Sequence, residues 1–276
     1  MFAHDFVRNA YLAGTFVGLA CGTVGWLVVL RAQVFAGDAL SHVAFVGAIA
    51  AALIGVAEPV GLLVATIVVA TGMAALGRRG VADDTSIGIV FAWILGIGIL
   101  LITLLARSAH GGNGIAATNA LFGSIYSLGA GSTILAASVS GLVVVLVLAG
   151  FRPLLLATLD SEMALTRGLP VRLLGVGFLI ALAVVTAEST QAVGALLLLG
   201  LIAAPAGAAH QLTTRPYRGL ALSAALSVGA VWAGLALSYQ TSSLPPSSAI
   251  IGLAAATYGV AALARRLWRR AAPGSG

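Results

Sequence analysis

Nine apolar runs, each close to the twenty residues a helix needs to cross a bilayer, dominate this chain. They fall at roughly 10–30, 38–57, 59–77, 85–106, 131–151, 172–188, 191–212, 219–239 and 248–265. In hydrocarbon every backbone N–H and C=O needs a partner within the protein, which leaves helices or a closed barrel. The runs lack the ten-residue alternation of barrel strands, so helices are expected. Only 8% of the 276 residues are charged and 60% are hydrophobic. That is too little charge to cover a water-soluble domain, so the solvent is lipid. The expected fold is therefore all-α: a polytopic transmembrane bundle of eight or nine spans, nine preferred. Residues 1–270 form one transmembrane domain and 271–276 a short disordered tail. The first run exceeds the h-region of a signal peptide and meets Arg31 with no small-residue cleavage site, so it is read as a membrane helix.

Arginine sets the orientation. Arg31, Arg78–Arg79, Arg152 with Arg167 and Arg172, Arg215 with Arg218, and the group Arg265, Arg266, Arg269 and Arg270 follow alternate crossings. With nine spans they share one side, which the positive-inside rule makes cytoplasmic. The other side holds only Arg8 and Arg107. This reads as a multi-pass protein of the cytoplasmic (inner) membrane. The net charge of +6 follows from the same loop bias, and no basic patch interleaved with aromatics suggests a nucleic-acid partner. Residues 107–130 are expected to carry a short interfacial helix over Ala120–Leu128.

Every basic side chain is arginine; there is no lysine. A Walker A lysine is thus absent, and the chain cannot build an ordinary P-loop. No His-Glu-x-x-His, no Gly-x-Ser-x-Gly and no paired intramembrane aspartates occur, so an enzyme is not expected. The single cysteine, Cys21, reads as packing.

Ionisable groups inside spans are expensive and are the first candidates for function. Asp38 and His42 stand at i and i+4 in Gly37-Asp38-Ala39-Leu40-Ser41-His42, on one helix face. A carboxylate and an imidazole so placed can ligate a divalent cation. One pair is too few ligands for a stable site, whereas two copies across a two-fold axis would supply two Asp and two His. The residues alone leave this open against a pair that only caps the second span. Glu188, with Ser189-Thr190-Gln191, reads as a polar turn near the outer face, and His210 as an interfacial residue. Both are secondary candidates for an ion path. His4 and His110 fall in external segments.

Taken in order, several motifs resemble those of the manganese/zinc/iron permeases of ABC transporters, the ABC-3 family. Gly25 to Arg31 is followed by Gly-Asp-x-Leu-Ser-His-x-x-x-x-Gly at Gly37–Gly47, then by the run Ala82 to Phe91 and by Leu121-Phe122-Gly123. Asp160-Ser161-Glu162-Met163-Ala164 with Gly168-Leu169-Pro170, Gln191-Ala192-Val193-Gly194, Leu201 to Ala206 and the Leu244-Pro245 loop complete the set. A second proline, Pro246, after Pro245 is a small departure from the family pattern.

The resemblance implies a permease of the type II importer kind, with Asp38 and His42 as intramembrane metal ligands. It implies three partners besides the lipid: a second permease copy, a cytoplasmic ATP-binding subunit and an external metal-binding protein. It also makes the stretch around Asp160, Glu162, Ala164 and Gly168 the coupling helix that meets the ATPase. No cofactor is held permanently; the metal is cargo. An oxygen–nitrogen ligand set with no nearby cysteine or methionine disfavours Cu(I), leaving Zn(II) slightly ahead of Mn(II) and iron third. The alternatives are a permease for siderophores or similar chelates, which needs a wide uncharged cavity, and a proton-driven secondary transporter, which needs carboxylate relays and an inverted repeat.

Overall fold

The computed structural model of the chain describes residues 5–77, 82–107, 123, 125–195, 198–241 and 244–271. Arg78–Arg79, His4 and His110, and, within the expected interfacial helix at Ala120–Leu128, Ala120–Phe122 and Ser124 lie outside the described residues. Among the described residues there are eleven α-helices, one 3-10 turn and no strand. The helices are α1 (Asp5–Leu30), α2 (Val34–Ile54), α3 (Glu58–Leu76), α4 (Asp84–Arg107), α5 (Ala130–Ala149) and α6 (Phe151–Leu159). They continue with α7 (Ser161–Thr166), α8 (Val171–Val193), α9 (Leu198–Leu212), α10 (Pro216–Gln240) and α11 (Pro246–Ala271).

Eight of these helices are long and apolar enough to cross a membrane. The seventh expected span is α9, only 15 residues long. At 1.5 Å per residue it covers about 22 Å, short of a hydrocarbon core of about 30 Å. Its last turn nevertheless reaches the far end of the bundle, where His210 Nε2 lies 3.1 Å from the Trp26 carbonyl near the end of α1. The bundle thus holds eight candidate spans and one shorter apolar helix among the described residues.

The arginine-bearing ends do converge. Arg31 Nε donates to Thr158 Oγ1 at 2.8 Å, Arg152 Nε donates to the Tyr217 hydroxyl at 3.2 Å, and Arg265 donates to Gln211. These bonds link α1 to α6, α6 to α10 and α9 to α11 at the end that the positive-inside pattern makes cytoplasmic.

Glycine decides how closely the helices approach. Without a hydrophobic drive between helices in lipid, association relies on backbones that can touch. α1 packs on α5, α8, α9 and α10. Its Gly14, Gly18 and Gly22, four residues apart, face Val231, Val228 and Ala224 of α10. Gly25 meets the Ile202 backbone of α9 in the same way. α2 and α3 cross at Gly47 and Gly61, where a Cβ on either residue would overlap the other's carbonyl oxygen. α4 packs chiefly on α2 and less on α3, and its Ile89, Trp93, Ile99 and Leu100 are exposed.

Two expectations about polar segments are corrected. Glu188-Ser189-Thr190-Gln191 is no turn near the outer face; it lies within α8, and Glu188, Ser189 and Thr190 are buried. The hydroxyls fold back on the helix: Thr186 donates to Leu182 O and Thr190 to Thr186 O, both at 2.7 Å. Ser189 meets Cys21 Sγ at 3.0 Å. Polar residues satisfied in this way need not end a helix in lipid. The helix ends instead at Gly194, whose φ of 94° only glycine accepts readily. In the described part of the 120–128 region, a 3-10 turn at Ile125–Ser127 replaces a helix, with its first residue packed into the bundle and Ser127 exposed. Ile125 is buried, and the Tyr126 hydroxyl donates to Leu235 O at 3.0 Å.

Replacing Gly47 or Gly61 by alanine must push α2 from α3. The expected cost is about 1–3 kcal/mol, read as a lower thermal midpoint in detergent. Gly229→Ala, where a Cβ meets nothing within 4 Å, is the matched control and stays at or above wild type. An unchanged midpoint for both Gly47→Ala and Gly61→Ala would contradict this packing.

Candidate metal centre

α2 begins at the arginine-bearing end, and its second and third turns carry Asp38 and His42. Gly37 faces Leu182 of α8, and Ala44 and Ala48 pack with Ala187 of α8 and Leu62 of α3. Those contacts fix one side of α2. Asp38 and His42 lie on another side, toward α4, and both are partly exposed. The His42 ring stands edge-on to Phe91 of α4, with centroids 5.1 Å apart.

Asp38 opens onto a cavity of about 420 Å³ lined also by Phe35, Asp84, Ile87, Gly88 and Phe91. Asp84 brings a second carboxylate to this space from the first turn of α4. Sequence reading passes over it because α2 and α4 meet only in the folded chain. α4 starts there because Asp83 caps it: Ser86 Oγ donates to Asp83 Oδ1 at 2.5 Å and Ile87 N to Asp83 O at 3.0 Å. The Ser86 hydrogen bond holds the Asp83 carboxyl below its ordinary range.

Among the described residues no group of three His, Cys, Asp or Glu side chains is close enough to hold a metal ion. One chain therefore offers the Asp38–His42 pair and a nearby carboxylate, but no complete coordination shell. A larger cavity of about 460 Å³ lies between α3, α5 and α8. Its lining of Leu, Val, Ile, Gly and Phe178 holds no ionisable group, so it offers nothing to a cation.

The secondary candidates fall elsewhere. His210 stacks flat on Trp26, with centroids 4.9 Å apart and planes 13° from parallel. It closes α9 onto α1 and does not reach the Asp38 cavity. Glu188 is 1% exposed and shares a face of α8 with Val184, which lines the apolar groove. No described group hydrogen-bonds either of its carboxylate oxygens.

At the arginine-bearing end, Asp160 caps α7 by accepting from Met163 N at 2.9 Å. Gly168, at φ 72°, lets the chain reverse so that Leu169 N reaches Ala164 O at 3.0 Å. Ala164 is wholly buried, so it packs the turn onto its own chain rather than admitting a partner closely. Glu162, Met163, Leu165 and Arg167 are exposed there, as are Asp160, Thr166 and Gly168, and the two large apolar ones give no signal in a chain this hydrophobic.

The ABC 3 transport family model matches residues 3–265. The chain is 28% identical to a manganese transport system membrane protein of Halalkalibacterium halodurans, over 85% of this chain and 79% of that one. It is 29% identical to a probable iron transport system membrane protein of Haemophilus influenzae, over 86% and 85%. Its fold is similar to the solved structure of PsaBC from Streptococcus pneumoniae in complex with a Fab, with a TM-score of 0.80 and 25% identity. That match covers 94% of this chain and 91% of the other.

An unpartnered carboxyl so deeply buried costs about 1–3 kcal/mol. Glu188→Leu is expected to raise the thermal midpoint in detergent. A clear fall would show instead that Glu188 is held by a partner the fold depends on.

Proposed function

The chain belongs to the ABC 3 transport family, and on that ground we propose that it is the membrane-spanning subunit of an importer for a divalent transition metal ion. The observation that carries this reading is Asp38 and His42, one helical turn apart on the apolar helix α2, with Asp38 opening onto a cavity that Asp84 also lines. A carboxylate supplies the charge that offsets the cation's lost hydration, and an imidazole supplies a borderline nitrogen ligand. Because one chain has too few ligands, the full shell comes from a second permease copy facing the first across a two-fold axis.

Two ligands from each chain suit a transient site. Ions must leave as readily as they enter, so a closed four-ligand cage in one subunit would trap the cargo. The names of the relatives favour manganese over zinc, with iron next. The Asp38 cavity favours a bare ion over an organic chelate, since its acidic lining suits a cation better than a bulky neutral ligand.

Energy comes from a separate ATP-binding subunit, because this chain has no lysine with which to build a P-loop. That subunit docks on the α6–α8 turn through Glu162, Met163, Leu165 and Arg167, while Asp160, Ala164 and Gly168 hold the turn's shape. An external metal-binding protein delivers the ion at the opposite end.

Radiolabelled manganese and zinc uptake, normalised to membrane-inserted protein, tests the reading. Asp38→Asn removes charge but keeps size; His42→Ala removes the nitrogen ligand. Each is expected to lower normalised uptake by at least about 10–100-fold, the loss typical when a residue that merely supports a metal ligand is changed, with insertion and ATPase assembly unchanged. Normal uptake per inserted molecule in both variants would leave Asp38 and His42 as structural residues.

A further inference from the structure

We propose that Arg31 is a positioning residue, the link through which movement of the α6–α8 turn reaches the metal-bearing helix α2. The inference rests on the importer reading above and adds a coupling element to it.

Arg31 stands at the elbow between α1 and α2. Its guanidinium lies over the Phe178 ring of α8, 4.2 Å from the centroid, and its Nε donates to Thr158 Oγ1 of α6 at 2.8 Å. Thr158 comes two residues before the Asp160 cap of α7, and Phe178 lies two turns into α8. One side chain therefore touches both the helix that enters the coupling turn and the helix that leaves it. Among the described residues no carboxylate pairs with Arg31. Burial lowers its pKa only to about 10, so the cation persists at neutral pH.

The elbow itself is unusual. Ala32, at φ 54°, is the one non-glycine residue with positive φ among the described residues. Side chains rarely adopt that conformation unless their surroundings impose it. Gln33 follows, 3% exposed, and neither atom of its side-chain amide has a hydrogen-bond partner. A buried unpaired amide beside a left-handed alanine marks a joint held in place from outside, and Arg31 makes the outside contacts. Asp38 comes five residues after Gln33 on α2. With α1 locked to α10 through Gly14, Gly18 and Gly22, a shift of α6 or α8 against Arg31 acts on the elbow and so on α2. An arginine suits this role: its planar cation stacks on the ring while its fork still donates sideways.

The test uses the full complex of permease, ATP-binding subunit and external binding protein in proteoliposomes. It reads manganese or zinc ions taken up per ATP hydrolysed. Arg31→Met is expected to lower that ratio about tenfold, within the range of ordinary coupling effects, while assembly and hydrolysis stay near wild type. Arg31→Lys restores part of the ratio. Phe178→Leu lowers it too, and adds nothing when combined with Arg31→Met. A purely structural role would reduce assembled complex and leave the ratio per complex unchanged.

A wild-type ratio in Arg31→Met overturns the proposal. If Arg31→Met does not assemble, Thr158→Val decides: a lowered ratio sustains the link and a wild-type ratio ends it. A wild-type complex that hydrolyses ATP yet moves neither metal would instead overturn the importer reading, and this inference with it.

Discussion

Backbone-to-backbone contact at glycine is what holds this bundle together. Lipid tails are as apolar as leucine, so burying side chains between helices gains little in a membrane. Close approach gains dispersion contacts along whole helix faces. Gly14, Gly18 and Gly22 seat α1 on α10, and Gly47 with Gly61 seats α2 on α3. Where such contacts are missing, as along most of α4, the helix is left with large aliphatic side chains facing outward.

That uneven packing shapes the site. α2 is gripped from α3 and α8, while its Asp38 and His42 side faces the loosely held α4. The break at Gly194 packs nearby: Ala195 joins Phe45, Val46 and Ile49 in a small cluster with Leu105, further along α2 from His42. The backbone of Gly123 lies against Val193 and Gly194. The candidate ligands thus sit on a closely packed helix pair, facing a helix with fewer contacts.

Much of this was legible in the sequence because membrane helices are set by run length and end charge. The nine runs and the single arginine-bearing end follow from those two signals. What stayed illegible was depth. Glu188-Ser189-Thr190-Gln191 looks like a loop on composition alone, yet side-chain hydroxyls bonded within the helix carry it through the bundle. Only Gly194 marked the true end. At the site, Asp38 and His42 were readable from their spacing, whereas Asp84 and Phe91 become neighbours only through the packing of α4 on α2. In the coupling turn, Asp160 caps its helix while staying exposed, and Ala164 is buried. Short polar and small residues serve turns as readily as partners, so sequence cannot separate the two roles.

The central claim is that two copies of the chain share one ion between their Asp38 and His42 pairs. The most direct measurement is manganese bound per chain by purified permease at equilibrium, without the ATP-binding subunit. The account predicts one ion for about every two chains, as a shared site requires, with binding lost in both Asp38→Asn and His42→Ala. A full ion per chain that persists in both variants would contradict it.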